Sequence, residues 1–440
     1  MILLYDLGLR LYYLGIKAAS ITHEKARLWV AGRTGIFERI STAIGTKKNQ
    51  HPILWIHCAS LGEFEQSRPI IESFKAQYPR WQVFLTFYSP SGYEIRKNYP
   101  FADYVFYLPL DTKANARRFL EIVQPDIAIF VKYEFWYHFL SELRTRNTPS
   151  FLISAIFNEN QIFFKPYGRF FRKILHTFTT IFVQNKESLD TLQKFGFDNI
   201  IQAGDTRIDR VMTLSKNLKD FPVIEAFADG QKVLIAGSTW HDDEKIITHY
   251  ANQIGGQTNG YAKIIIVPHE VSEKRLIEIR QSLRVPNILY SEAMRRMYNG
   301  TDAEKSEASQ ASVLVIDHIG SLSAIYRYGH LAYVGGGFGK GIHSTLEPGA
   351  FGLPIIFGPK YQKFEEATQL IQSKGAFTIK SYAEFESIMI HLKNEAEYNG
   401  ASKSVEAYLS QNQGATKIIL STMDHEITKI RIQPSVNDGI

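Results

Sequence analysis

Cysteine is all but missing: Cys58 is the one cysteine in 440 residues. No intrachain disulfide and no cysteine-built metal cluster can form, which fits an intracellular chain. The thirteen histidines include no His-Glu-x-x-His pattern or similar paired spacing, so no metal site is expected. No apolar run reaches the ~20 residues that a spanning helix needs. A dispersed excess of positive charge is also lacking. Of the net +6, residues 1–50 carry +5, from eight Lys/Arg against three Asp/Glu, and the other 390 residues carry +1. A nucleic-acid binder spreads its basic charge over a folded face, so no nucleic-acid partner is expected. What is present, 45% hydrophobic and 21% charged residues, is ordinary globular composition with length for two or three domains.

The basic excess adjoins the apolar stretch MILLYDLGLRLYYLGIK, residues 1–17. It has no positive leading region, and Asp6 and Arg10 interrupt it, which argues against a signal peptide. At 100° per residue Asp6, Arg10 and Lys17 fall within about 40° of one another, and leucine, isoleucine and tyrosine cover the rest. One reading is a helix packed on its own domain. The reading taken here is an interfacial helix, with Lys25, Arg27, Arg33, Arg39, Lys47 and Lys48 facing the headgroups of an anionic membrane surface.

From residue 53 short apolar runs alternate with amphipathic stretches. The predicted strands are 53–58, 82–87, 104–108, 126–131, 150–155 and 180–184, then 232–237, 263–268, 313–317, 330–336 and 354–358. The fold class expected is α/β, with two Rossmann-like domains facing across a cleft. The expected boundaries are a membrane-interface helix and basic segment over 1–50, a first domain over 51–215, a linker over 216–231, and a second domain over 232–412. A tail over 413–440 would pack back on the first domain. Residues 298–311 are polar and breaker-rich and read as a loop.

On open α/β sheets ligands sit beyond the strand C-termini, and three loops there carry chemistry. In His57-Cys58-Ala59-Ser60-Leu61-Gly62-Glu63, Gly62 permits close backbone approach and Glu63 could act as general base toward a hydroxyl. Ser60-x-x-Glu63 is equally a capping box, in which the carboxylate only bonds the Ser60 backbone. In the second loop five of the seven residues 335–341 are glycine, and Gly335, Gly336, Gly337 and Lys340 precede Ser344-Thr345-Leu346-Glu347. Bare amides ahead of a helix suit a nucleotide phosphate, and Glu347 would accept from a ribose or close a capping box with Ser344. The third loop, Gly237-Ser238-Thr239, offers hydroxyls to an anion or simply an N-cap. A further stretch interleaves Phe163, Phe164, Lys165, Tyr167, Arg169, Phe170, Phe171, Arg172 and Lys173. It could stack on nucleic acid, meet lipid headgroups, or pack a helix with snorkelling cations.

These loops in this order resemble the 3-deoxy-D-manno-octulosonic acid (Kdo) transferases of lipopolysaccharide synthesis. The matching stretches are HCASLGEFEQSRPII, YLPLDTKANARRFLEIVQPDIAIF, AGDTRIDRV, AGSTWHDDEKII and VGGGFGKGIHSTLEPGAFGLPIIFGP, within residues 55–375. The resemblance implies a GT-B glycosyltransferase that moves Kdo from CMP-Kdo to a lipid IVA-like lipid A precursor. The reaction would invert the donor configuration with Glu63 as base, and would need neither metal nor cofactor. It implies a peripheral or N-terminally anchored protein at the cytoplasmic face of the inner membrane. Ser60, Gly62 and Glu134 would serve the acceptor side; the further candidate Lys132, where the family has an acid, either supplies positive charge for an acidic sugar or is a solvated surface lysine. Gly237, Ser238, Thr239, His269, Gly320, Gly335, Gly336, Gly337, Lys340, Ser344 and Glu347 would serve the donor. The chain departs from the family's Glu-Thr-Glu-x-Trp-Pro-Asn at Lys132-Tyr133-Glu134-Phe135-Trp136-Tyr137-His138, from its Pro-Arg-His at Pro268-His269-Glu270, and from its Asn before Leu-Glu-Pro at Ser344-Thr345. Two other readings stay open on the residues: a UDP-sugar transferase or epimerase on the same scaffold, and a non-catalytic, membrane-docked nucleotide-binding scaffold.

Overall fold

A computed structural model describes residues 1–45, 51–216, 219–254, 261–301 and 307–432. Lys47 and Lys48, assigned above to headgroups, lie outside the described residues. The chain forms two compact units, Met1–Asp209 with Gln413–Ile440, and Arg210–Asn412.

The first unit is built on seven parallel strands: β1 (Ile53–Cys58), β2 (Gln82–Phe87), β3 (Tyr104–Tyr107), β4 (Ile127–Val131), β5 (Ser150–Ala155), β6 (Thr180–Val183) and β7 (Ile200–Gln202). Their order is β3-β2-β1-β4-β5-β6-β7, so the winding reverses between β1 and β4. Every residue of β1, β2, β4 and β5 is buried, because helices cover both faces; hence the unbroken apolar runs. Alternate residues feed separate cores. Trp55, Phe84 and Phe130 point to one, and Leu54, Ile56, Leu85 and Ile129 to the other.

Four helices bracket the start of this sheet: α1 (Ile2–Ala19), α2 (Glu24–Ala31), α3 (Ile36–Ile44) and α4 (Leu61–Gln77). Ile36, Ile40 and Ile44, spaced by four, carry α3 into the first core. The terminal helix Ala415–Ile432 repeats the device, setting Ala415, Ile419, Met423 and Ile427 beside Phe64 and Phe74 of α4. Tyr78 Oη locks the pair by donating to Asp424 at 2.6 Å.

The second unit holds β8 (Val233–Thr239), β9 (Lys263–Pro268), β10 (Asn287–Leu289), β11 (Val313–Val315), β12 (Leu331–Val334), β13 (Ile355–Phe357) and β14 (Ala376–Thr378). They too are all parallel, in the order β10-β11-β9-β8-β12-β13-β14. The expected linker is corrected here: Pro222–Ala228 is a helix with Pro at its first turn, and its Val223, Ile224 and Phe227 are buried in this unit's core. Tyr298 and Asn299, read as loop, complete the helix Tyr290–Asn299, and 302–306 lie outside the described residues.

Candidate active site

On the first unit the loop after β1 carries Glu63 at the third position of α4, with Ser60 as N-cap. The capping box forms: Glu63 Oε2 accepts from the Ser60 amide at 3.0 Å and from the Ser60 hydroxyl. Both bonds fall on one carboxylate oxygen, and the residue is only half-buried. Capping and availability therefore coexist. Gly62 is not demanded by packing, since a Cβ there would come no closer than 3.7 Å to Ser60 Oγ. The lack of a side chain leaves this helix start open.

The other two acceptor-side candidates differ. Lys132 ends β4 half-buried, in a left-handed conformation at φ 60°, a backbone state that side chains rarely adopt away from constrained sites. Glu134 is buried and forms the hub of a network the sequence reading missed. Trp136 Nε1 donates to its Oε2 at 2.6 Å, and His57 Nε2 lies 3.1 Å from the same oxygen. Trp55 Nε1 donates to Thr86 Oγ1 at 2.9 Å, and His57 Nδ1 lies 2.9 Å from the same hydroxyl. Trp136 Nε1 also lies 3.1 Å from His57 Nε2, so indole, imidazole and carboxylate meet at one point. Glu134 is thus placed as an anchor that fixes Trp136, rather than as an open contact. Cys58 points the other way, toward Ser67, with burial raising its thiol, so no Cys–His pair exists.

The same wall is buttressed by the N-terminal helices. Tyr88 stacks on Trp136 with centroids 4.7 Å apart, and Arg33 lies over the rings of Tyr88 and Trp29. Arg33 donates to the carbonyls of Leu108 and Tyr88 at 2.8 Å each, and burial lowers its guanidinium to about 10. It is thus a structural cation, correcting its assignment to headgroups. Asp6 of α1 meets His138 Nε2 at 2.6 Å, and Tyr5 Oη donates to the buried Asp111 at 2.5 Å. Asp111 also accepts from the His138 and Phe139 amides, and burial raises its carboxyl. The outer face of α1, Leu3, Leu4, Leu7, Leu11 and Leu14, is exposed by half or more. Asp6 therefore turns inward, while the leucines face out. In the aromatic–basic segment, Phe163 and Phe164 are core, and Phe170 and Phe171 pack against it. Arg172 bonds the Phe163 carbonyl, which realises the packing reading.

On the second unit the glycine turn after β12 is a packing device first. A Cβ at Gly335 would sit 2.3 Å from the Ser238 carbonyl, and one at Gly337 2.6 Å from the Gly358 Cα. Its amides are largely spent. Those of Gly335, Gly336, Gly339 and Gly341 bond Gly237, Asp243 and Gly336. Lys360 Nζ clamps the turn through the Phe338 and Gly339 carbonyls, while Lys340 is exposed. The helix expected behind the turn is only Leu346–Gly349, with Thr345 at its N-cap and no side-chain cap bond. The Ser344–Glu347 capping box is therefore absent. Four residues give no macrodipole to speak of, which corrects that part of the phosphate argument. Glu347 itself is half-buried and lines a small cavity with Ser323, Ala350 and Phe351.

Thr239 is also corrected. Its hydroxyl donates to Glu244 Oε1 at 3.0 Å and is buried, so it is not offered to an anion. Ser238 beside it is half-buried with φ 53°, and Gly320 is exposed at φ 98° ahead of the turn Leu322–Ile325. His269 is exposed at the end of β9, stacked on Trp240 and His343. Asp243 organises this end of the sheet and had no signal beyond its place in the acidic run Asp242-Asp243-Glu244. Among the described residues no cluster of three or more His, Cys, Asp or Glu could hold a metal ion, and no helix is long and apolar enough to cross a membrane.

Residues 33–210 match the family described as 3-Deoxy-D-manno-octulosonic-acid transferase (kdotransferase). A 3-deoxy-D-manno-octulosonic acid transferase of Aquifex aeolicus is 26% identical over 365 residues, covering 81% of this chain and 92% of that protein. One from Chlamydia trachomatis serovar D is 25% identical over 396 residues, 88% of each. A UDP-GlcNAc 2-epimerase from Neisseria meningitidis shares the fold at 16% identity, with TM-score 0.58 over 85% of this chain and 100% of that one. Two doubly wound, all-parallel α/β units make the architecture GT-B.

Proposed function

We propose that this chain, which belongs to the Kdo transferase family, moves Kdo from CMP-Kdo to a hydroxyl of a lipid A precursor with inversion. Glu63 takes the proton of the acceptor's primary hydroxyl as that oxygen bonds the anomeric carbon and the bond from that carbon to the CMP phosphate breaks. The observation that carries this is the Glu63 carboxylate. It is positioned by Ser60 at one oxygen, half-buried, and set at the open start of α4, inside the segment matched to the family. A base needs that combination: a fixed orientation with reach to a bound hydroxyl. The leaving phosphate would be met on the second unit by side chains beside the glycine turn, such as Lys340 and Ser344, without a metal.

Docking of the first unit on an anionic bilayer belongs to the same proposal. The leucine face of α1 is flanked by the exposed Arg10, Lys17, Lys25 and Arg27, the pairing of apolar stripe and cations that suits an interface. The direct test is incubation of purified protein with CMP-Kdo and a tetra-acylated lipid A precursor, read by mass spectrometry. A product heavier by one or more Kdo units, with CMP released, is the expected result. Consumption of UDP-sugars with CMP-Kdo left intact would overturn the proposal.

A further inference from the structure

Trp240, His269 and His343 follow β8, β9 and the glycine turn after β12. His269 stacks on Trp240, with centroids 4.5 Å apart and planes at 25°, and on His343, at 4.5 Å and 28°. Trp240 Nε1 is also 3.2 Å from His343 Nε2. Rings on opposite faces of His269 would be separated by both stacking distances together. Trp240 and His343 therefore lie edge to edge as a floor, with His269 over both.

An indole N–H can only donate, so Nε2 of His343 holds the lone pair and the neutral ring carries its proton on Nδ1. Burial, with His269 adding to it, lowers this ring to about 4, which keeps it uncharged at neutral pH. The ring is seated against the glycine turn: the His343 amide donates to the Gly335 carbonyl at 3.1 Å, and its Cδ2 lies 3.2 Å from where a Gly336 Cβ would stand. The charged groups around the cluster are Asp243, which accepts from the Trp240 amide, Lys340 on the turn, Glu270 beside His269, and Arg275 on His241.

We propose that His343 is a tautomer-locked, uncharged hydrogen-bond donor to a phosphate oxygen of the nucleotide-sugar, with Trp240 as the positioning residue that sets the tautomer. The assignment rests on the donor reading above. A neutral donor binds the phosphate without depending on protonation, so its contact persists where an imidazolium would have been lost.

The test uses the full chain with ¹⁵N-labelled histidine, the His343 signals being assigned from H343A. In the native protein Nδ1 should be protonated, Nε2 unprotonated, and the ring should not titrate between pH 5 and 8. Trp240→Phe keeps the ring face but removes the N–H; the His343 ring should then sample both tautomers. Added CMP should shift the Nδ1–H signal together with the Gly335–Gly337 amides. H343A should weaken CMP binding about tenfold, the scale of one hydrogen bond to a charged group. A native Nε2–H tautomer, or a ring that titrates normally, overturns the proposal. So does CMP that moves the glycine amides but not the ring, and that outcome leaves the donor reading standing. If CMP moves neither, the donor reading falls and the phosphate contact falls with it.

Discussion

Asp243 accepts from Tyr333 Oη at 2.7 Å through one oxygen, and from the Trp240 and Gly336 amides at 2.9 Å each through the other. It so ties the exit of β8 to β12 and the glycine turn. Burial raises its carboxyl, and the three donors pull the other way. Asp243→Ala would strand a buried hydroxyl and a buried amide and should cost about 2–5 kcal/mol in denaturant unfolding. Asp243→Asn should cost less than half as much, because the Tyr333 oxygen can accept from the new amide. Nothing in the sequence singled out Asp243, since its importance lies in the backbone donors that folding brings to it. Ser60 and Glu63 were visible as a pair, yet capping box and base use the same two side chains, so spacing alone left the choice open. At Glu347 the capping box is absent, since Thr345 stands at the N-cap with no side-chain cap bond. The proposed ribose contact predicts that Glu347→Ala weakens CMP binding roughly ten- to a hundredfold in calorimetric titration, as loss of a charged hydrogen bond would. Unchanged affinity would remove Glu347 from the nucleotide site.

The helix α1 shows why an amphipathic pattern can carry two readings together. Its Tyr5, Leu9, Tyr13 and Ile16 side is turned to the first unit, while Leu3, Leu4, Leu7, Leu11 and Leu14 face out. The expectation chose the interface over packing; the structure packs one face on the first unit and leaves the leucine face exposed. Leu7→Asp with Leu11→Asp should abolish binding to anionic vesicles in flotation assays, while shifting stability by less than about 1 kcal/mol, since both side chains are already exposed. Deleting residues 1–19 should instead destabilise the first unit, because Asp111 and His138 lose Tyr5 and Asp6. Equal stability of the deletion would mean that α1 is only an anchor. Long buried strands were legible as apolar runs; β7, β10 and β14 were not. Each is three residues long and stands at or next to a sheet edge, where half-exposure dilutes the apolar signal.

Across the whole molecule, alternating runs sufficed for two all-parallel sheets, and the loops sufficed for a resemblance to the family that residues 33–210 match. The linker was misread because polar residues around Pro222 masked a short helix whose apolar side chains enter a core distant in sequence. The spent amides of Gly335 and Gly336 were also out of reach, because their partners, the Gly237 carbonyl and Asp243, are distant in sequence. The central claim is that one carboxylate, oriented by its own helix cap, serves as the base. Glu63→Gln keeps an oxygen for the Ser60 amide and removes the basic group. Single-turnover transfer from CMP-Kdo by this variant, with CMP affinity and unfolding midpoint measured in parallel, isolates that difference. The account predicts a rate lower by about 10²–10⁴-fold with affinity and midpoint nearly unchanged; transfer within a few-fold of the native rate would contradict it.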